Sequence, residues 1–94
     1  MHTVIWTIRP NEGTSRRDIE DELEGSKRDY AGGAGLKRVM LGVSSDNKAV
    51  IEISLWESKA AADAFFTKVW ETGLSRRWQA APAQREEWDT LSVI

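Results

Sequence analysis

The stretch Asp29–Arg38 reads DYAGGAGLKR, three glycines inside four residues with a lysine close behind. Such a run can cradle a phosphate, but only where it follows a strand and opens a helix. There the backbone N–H groups of the helix start point at the anion. The sequence on either side therefore decides what the loop is, and with it the fold.

Upstream, Ser15 followed three residues later by Asp18 resembles a capping box with Asp in place of the usual Glu. Ile19, Leu23 and Tyr30 then recur near one helical face among charged residues, which predicts a helix from about Arg16 to Arg28. Downstream, Leu36–Val43 alternates and predicts a strand, with Val39, Leu41 and Val43 on one face and Leu36, Arg38 and Met40 on the other. The glycines leave a helix and enter a strand, the reverse of a phosphate loop, and Lys37 lies in the strand. Glycine beyond a helix end commonly takes a positive φ. The run is a helix exit.

The remaining chain fills in around it. His2–Arg9 alternates, with Val4, Trp6 and Ile8 on one side, and Pro10 and the loop NEGT close this strand. SSDN is a turn. Ala49–Trp56 is a third strand, with Ile51, Ile53 and Leu55 set against Val50, Glu52, Ser54 and Trp56. Ser58 caps a second helix through KAAADAFFTKVWE, where Ala61, Phe65 and Val69 share a face with Ala62, Phe66 and Trp70 beside it. Gly73 is expected to interrupt that helix, LSRRW to add a turn, Pro82 to end the segment, and REEWDTLSVI to form the last strand.

The order βαββαβ predicts a single domain, residues 1–94, of the α+β class. It is a ferredoxin-like sandwich of one antiparallel four-stranded sheet with both helices on one face. The open face is expected to carry Trp56, Met40 and Ile5 mixed with Arg38, Glu52 and Ser54. A chain of 94 residues buries only roughly 60–65% of its unfolded surface, and a half-apolar open face suits a partner. A homodimer is expected.

Composition narrows the function classes. The net charge is −2 and the basic pairs Lys27-Arg28, Lys37-Arg38 and Arg76-Arg77 are scattered among acids, so no polyanion-binding face and no nucleic acid are expected. There is no cysteine, hence no disulfide, thiol nucleophile or thiolate metal site, and a cytoplasmic location fits. No charged segment precedes an apolar run at MHTVIWTIRP, and no run approaches the roughly 18 residues of a membrane span. Five tryptophans, Trp6, Trp56, Trp70, Trp78 and Trp88, are a heavy load that needs a core, an interface or an aromatic-lined cavity.

Several of these pieces together resemble a family. Tyr30-Ala-Gly-Gly-Ala-Gly-Leu36 before the second strand, SLWESKAAADAFF, and then VW and RRW ahead of APA and a final strand are similar to the YdhR-like branch of the antibiotic-biosynthesis-type monooxygenase superfamily. The resemblance runs from about Ile5 to the end. It implies a dimeric α/β barrel in which two sheets face each other. For some members it implies oxidation of an aromatic or polyketide-like molecule by O₂ without metal or flavin, so no cofactor is expected. An electron-rich phenol, once deprotonated, can itself pass an electron to O₂; the protein then supplies a dry aromatic cavity, a base, and a donor that orients the oxyanion. The haem-degrading relatives use an Asn on the first strand and a Trp and a His on the second helix. The matching neighbourhoods around Trp6, Phe65–Phe66 and Leu74–Ser75 carry no such set, and the chain's one histidine is His2.

The candidate residues follow. Tyr30, where the resemblance places a recurring tyrosine, can donate to a substrate oxygen or bond to the loop; Arg38 can anchor an acidic or phenolic ligand, or pair with Glu52 across neighbouring strands. Trp6, Trp56, Phe65, Phe66 and Trp70 are the candidate pocket walls, with core packing as the plain alternative. His2, as the chain's one histidine, is a candidate base by residue type but adjoins the chain end, where disorder is common. A metal site is not expected, and the acids of Asp18–Glu24 read as a solvated helix face. The alternative function is a non-catalytic ligand-binding or stress-related barrel protein, and a further one is a structural dimer whose tryptophans only fill a core.

Overall fold

The computed structural model describes residues 1–79 and 82–94. In chain order the elements are β1 His2–Ile8, α1 Arg16–Tyr30, β2 Leu36–Val43, β3 Val50–Trp56, α2 Lys59–Phe65, α3 Lys68–Trp78 and β4 Gln84–Asp89. The strands form one sheet in the order β2-β3-β1-β4, every neighbouring pair antiparallel. This is the expected ferredoxin-like α+β sandwich.

Each helix begins on a hydroxyl. Ser15 accepts the N–H of Asp18, Ser58 that of Ala61 and Thr67 that of Trp70, so each satisfies a donor the helix start would leave bare. The third cap breaks the expected long helix in two. Phe66 leaves helical geometry at φ −85° and ψ 73°, Thr67 restarts the chain as α3, and the change of direction drives Phe66 into the core. Gly73 lies inside α3 and interrupts nothing, because the cap at Thr67 already sets the break. The last strand stops at Asp89; Thr90–Ile94 is not strand, although Thr90 N–H still donates to the Met1 carbonyl.

The glycine run does what its neighbours required. Gly32 and Gly35 take φ of +78° and +81°. Gly35 also lets the start of α2 approach, since a Cβ there would sit 2.8 Å from the Ala61 Cβ and 3.0 Å from the Glu57 Cγ. Its carbonyl accepts the Glu57 N–H at 2.8 Å, which pins the loop to the end of β3.

One face assignment is reversed. Val50, Glu52, Ser54 and Trp56 are all buried, facing the helices, while Ile51, Ile53 and Leu55 turn outward and are half-buried. The register decides this. Val4, Trp6 and Ile8 stand opposite Ser54, Glu52 and Val50, so the inward side of β1 commits that set of β3 to the core. The outer face carries Ile5, Met40 and Arg38, as expected, with Ile53 and Leu55 in place of Trp56, Glu52 and Ser54. An irregularity between Leu36 and Arg38 returns Leu36 to the core side. The expected Arg38–Glu52 pair does not form, since the sheet lies between them.

Candidate functional site

Across the middle of the inner face the register lines up Leu41, Glu52, Trp6 and Arg85, one from each strand. Trp6 is thus flanked by a carboxylate on β3 and a guanidinium on β4. Above it α2 and α3 bring Phe66 and Trp70, their rings 5.5 Å from that of Trp6 and 4.7 Å from each other. Tyr30 stacks on Phe65 at 5.6 Å, and Trp56 packs against Phe65 and Phe66. The five expected pocket residues are brought together, and with Tyr30 they form one aromatic layer between sheet and helices.

On the β4 side of this layer lies a groove of about 310 Å³, lined by Trp6, Lys68, Glu71, Thr72, Ser75, Pro82, Ala83 and Arg85. The Arg85 guanidinium lies over the Trp6 and Phe66 rings at 5.5 and 5.3 Å. It is held by Asp63 at 3.0 Å and Glu87 at 3.1 Å, with Glu71 at 4.0 Å. Of four buried donors that find no acceptor among the described residues, Trp6 Nε1 and Arg85 Nε belong to residues of this groove, and Arg77 Nε and Trp78 Nε1 lie elsewhere. A buried N–H left unpaired costs on the order of 1–3 kcal/mol, so such a pair invites an oxygen.

On the other side of Trp6, Glu52 is fully buried in a polar cluster. Tyr30 Oη donates to its Oε1 at 3.0 Å and Ser26 Oγ to its Oε2 at 2.8 Å; Arg77 Nη2 donates to Ser26 Oγ at 2.7 Å and stands 3.8 Å from Oε2. Arg77 also pairs with Asp29 and Glu22. Burial holds the Glu52 carboxyl above the ordinary range, opposed by hydrogen bonds from Ser26 and Tyr30 and by the Arg77 charge. Burial, and then the Glu52 charge, push the Tyr30 hydroxyl strongly up.

The two expected catalytic residues are not brought together. Tyr30 ends α1 inside the core with its hydroxyl committed to Glu52, and Arg38 is exposed on the outer face of the sheet. His2, expected near a loose end, is buried against β4. Arg85, Glu71 and the role of Glu52 were missed. A signal for Arg85 existed, since a strand reading QREEWD has no apolar face, and charges on the covered side of a sheet need partners. No group of three or more His, Cys, Asp or Glu able to hold a metal occurs among the described residues, and no helix there is long and apolar enough to cross a membrane.

No family model matches the chain, and no curated protein does. Solved structures do. SnoaB, a cofactor-independent oxygenase from Streptomyces nogalater, superposes with a TM-score of 0.74 over 99% of this chain and 95% of its own at 10% identity. An antibiotic-biosynthesis-monooxygenase-type protein from Deinococcus radiodurans gives 0.74 over 100% and 96% at 8% identity. MhuD, solved with two manganese protoporphyrin IX molecules per active site, gives 0.72 over 100% and 98% at 15% identity. The chain has the fold of the antibiotic biosynthesis monooxygenases. At these identities the likeness is one of fold.

Proposed function

We propose that this protein is a small oxygenase that oxidises an electron-rich phenolic aromatic or polyketide-like molecule with O₂, without metal or flavin, in the groove between α3 and β4. The observation that carries the reading is the pair of buried, unpartnered donors, Trp6 Nε1 and the Nε of the Arg85 cation that lies on the Trp6 and Phe66 rings. A ligand oxygen reaches them as the Arg85 guanidinium turns aside from Trp6. Trp6 and Phe66 then offer the ring of the substrate an apolar wall, and the two N–H groups with the Arg85 charge hold a phenolate oxygen. Glu71, on the same groove, takes the phenolic proton. The phenolate gives one electron to O₂, the resulting radical pair joins through a carbon–oxygen bond at a carbon that bears hydrogen, Glu71 returns its proton to the peroxide, and loss of water leaves a quinone carbonyl. For an anthrone the CH₂ and O₂ become C=O and H₂O. The described fold of SnoaB supports the reading.

A homodimer joined through the outer sheet face belongs to the same proposal. Its support is the apolar set Ile5, Ile53 and Leu55 beside Met40, which is 53% exposed in the single chain, and Trp88, which is 58% exposed. The resemblance to the YdhR-like branch and a cytoplasmic location remain expectations of the sequence.

The way Trp6, Phe66 and Trp70 fill the interior between sheet and helices favours a structural dimer whose tryptophans only fill a core; beside it stand the two readings that use the groove, the oxygenase and a ligand-binding or stress-related protein without turnover. Oxygen uptake and quinone absorbance with metal-stripped protein and a panel of hydroxylated anthrones and naphthols separate the two. Turnover above the protein-free rate that falls in Arg85→Ala and Trp6→Phe supports the oxygenase. Turnover that falls in Tyr30→Phe or Arg38→Ala, and not in Arg85→Ala, moves the site to those residues. Tryptophan quenching with no uptake supports the binder.

A further inference from the structure

His2 is 5% exposed, its Nε2 donating to Glu87 Oε1 at 2.9 Å and its Nδ1 3.9 Å from Asp89 Oδ1. The same Glu87 Oε1 accepts from Arg85 Nη2 at 3.1 Å. One carboxylate oxygen therefore joins a buried imidazole to the guanidinium that lies over Trp6. The sheet register makes this possible: on the inner face His2, Val4 and Trp6 of β1 stand opposite Asp89, Glu87 and Arg85 of β4, so Glu87 falls between the two cationic groups.

We propose that His2 and Glu87 are positioning residues for Arg85, an arm that sets whether the guanidinium lies on the Trp6 floor or swings aside to admit a ligand oxygen. The inference rests on the reading of that groove as the ligand site. The groups facing the arm are Glu87 and Asp89 from β4, Lys59 of α2 at 3.8 Å from Glu87, and Asp63 of α2 and Glu71 of α3 on Arg85. From β3 the residue opposite His2 is Trp56, which does not titrate.

With His2 neutral, the Glu87 charge is shared by Arg85 and Lys59 and holds the guanidinium down. With His2 protonated, the imidazolium takes up that charge and offers its second N–H toward Asp89. The pull of Glu87 on Arg85 weakens, which leaves Asp63 at 3.0 Å as the contact about which the guanidinium swings aside. The Glu87 carboxyl is held below the usual range foremost by its hydrogen bond from His2, so the two already act on each other.

The test reads Arg85 directly, without a ligand. In ¹H–¹⁵N spectra of the whole chain, the Arg85 Nε–H signal, assigned by its loss in Arg85→Lys, is followed between about pH 5 and 8. In the wild type it moves with pH. In His2→Gln, which keeps an N–H donor, and in Glu87→Gln the movement is lost while backbone amide dispersion shows that both variants fold. A wild-type signal that stays put, or one that moves alike in His2→Gln, overturns the arm. The groove is judged separately, with 2-naphthoate as the probe and tryptophan quenching as the readout. Equal quenching in wild type and Arg85→Ala sinks the groove as ligand site and leaves the arm to stand or fall on the spectra.

Discussion

Replacing Gly35 and Gly32 by alanine in separate variants tests the link between the glycine run and the packing of α2. Both residues have nearly the same left-handed backbone, φ +81° and +78°, so both variants bear the same conformational cost of about 1 kcal/mol. At Gly32 nothing lies within 4 Å of the new Cβ. At Gly35 the Cβ would come to 2.8 Å from that of Ala61 and 3.0 Å from the Glu57 Cγ. Glu57 can swing away, but Ala61 is fixed on the first turn of α2, so an overpacking cost of roughly 1–3 kcal/mol is added. Gly35→Ala should lose about 2–4 kcal/mol and Gly32→Ala about 1, and in a domain of this size each kcal/mol lowers Tm by about 4–8 °C. Urea unfolding with a shared m-value measures both. Adding Ala61→Gly to Gly35→Ala should recover part of the loss, a coupling on the order of 1 kcal/mol that a double-mutant cycle isolates. Equal losses in the two single variants, or no coupling with Ala61, would refute the reasoning.

Three further outcomes are expected. Because Glu52 keeps its proton to a higher pH folded than unfolded, unfolding releases that proton and stability falls as pH rises above the ordinary value of 4.5. The slope reaches at most about 1.4 kcal/mol per pH unit. Glu52→Gln should flatten that slope in urea titrations run at several pH values, and parallel curves would dismiss the raised carboxyl. Ser26→Ala removes a donor to Glu52 and an acceptor of Arg77 and should cost about 1–3 kcal/mol in the same assay, whereas a neutral change would mean that water replaces the hydroxyl. Met40→Glu, on the outer face, should change the stability of the single chain by only ~0.5 kcal/mol, about 2–4 °C in Tm, as surface changes ordinarily do. It should shift sedimentation velocity toward monomer, and a wild type that already sediments as a monomer would end the dimer proposal.

Much of this architecture was legible in the chain. Ser15 and Ser58 announced two helix starts, the alternations of His2–Ile8 and Leu36–Val43 announced strands, and the glycines between Tyr30 and Leu36 could only be a helix exit. These signals are local: a cap acts across three residues and an alternation across two. Thr67 was equally local and was passed over, because the apolar run AFFTKVW hid a cap behind helical spacing.

The site was another matter. In VIEISLW the alternation Ile51, Ile53 and Leu55 is wholly apolar and looks more like core than the half-apolar one that carries Glu52 and Ser54. The tertiary structure chose the second, because Trp6 and its neighbours on β1 face Glu52 and Ser54, and because Ser26, Tyr30 and Arg77 arrive from two helices to satisfy the carboxylate. Arg85 meets Trp6, and His2 meets Glu87, only through the pairing of the first strand with the last. Periodicity determines which residues share a face. Which face is covered, and which charges meet beneath the cover, is decided by contacts between segments that no local pattern connects.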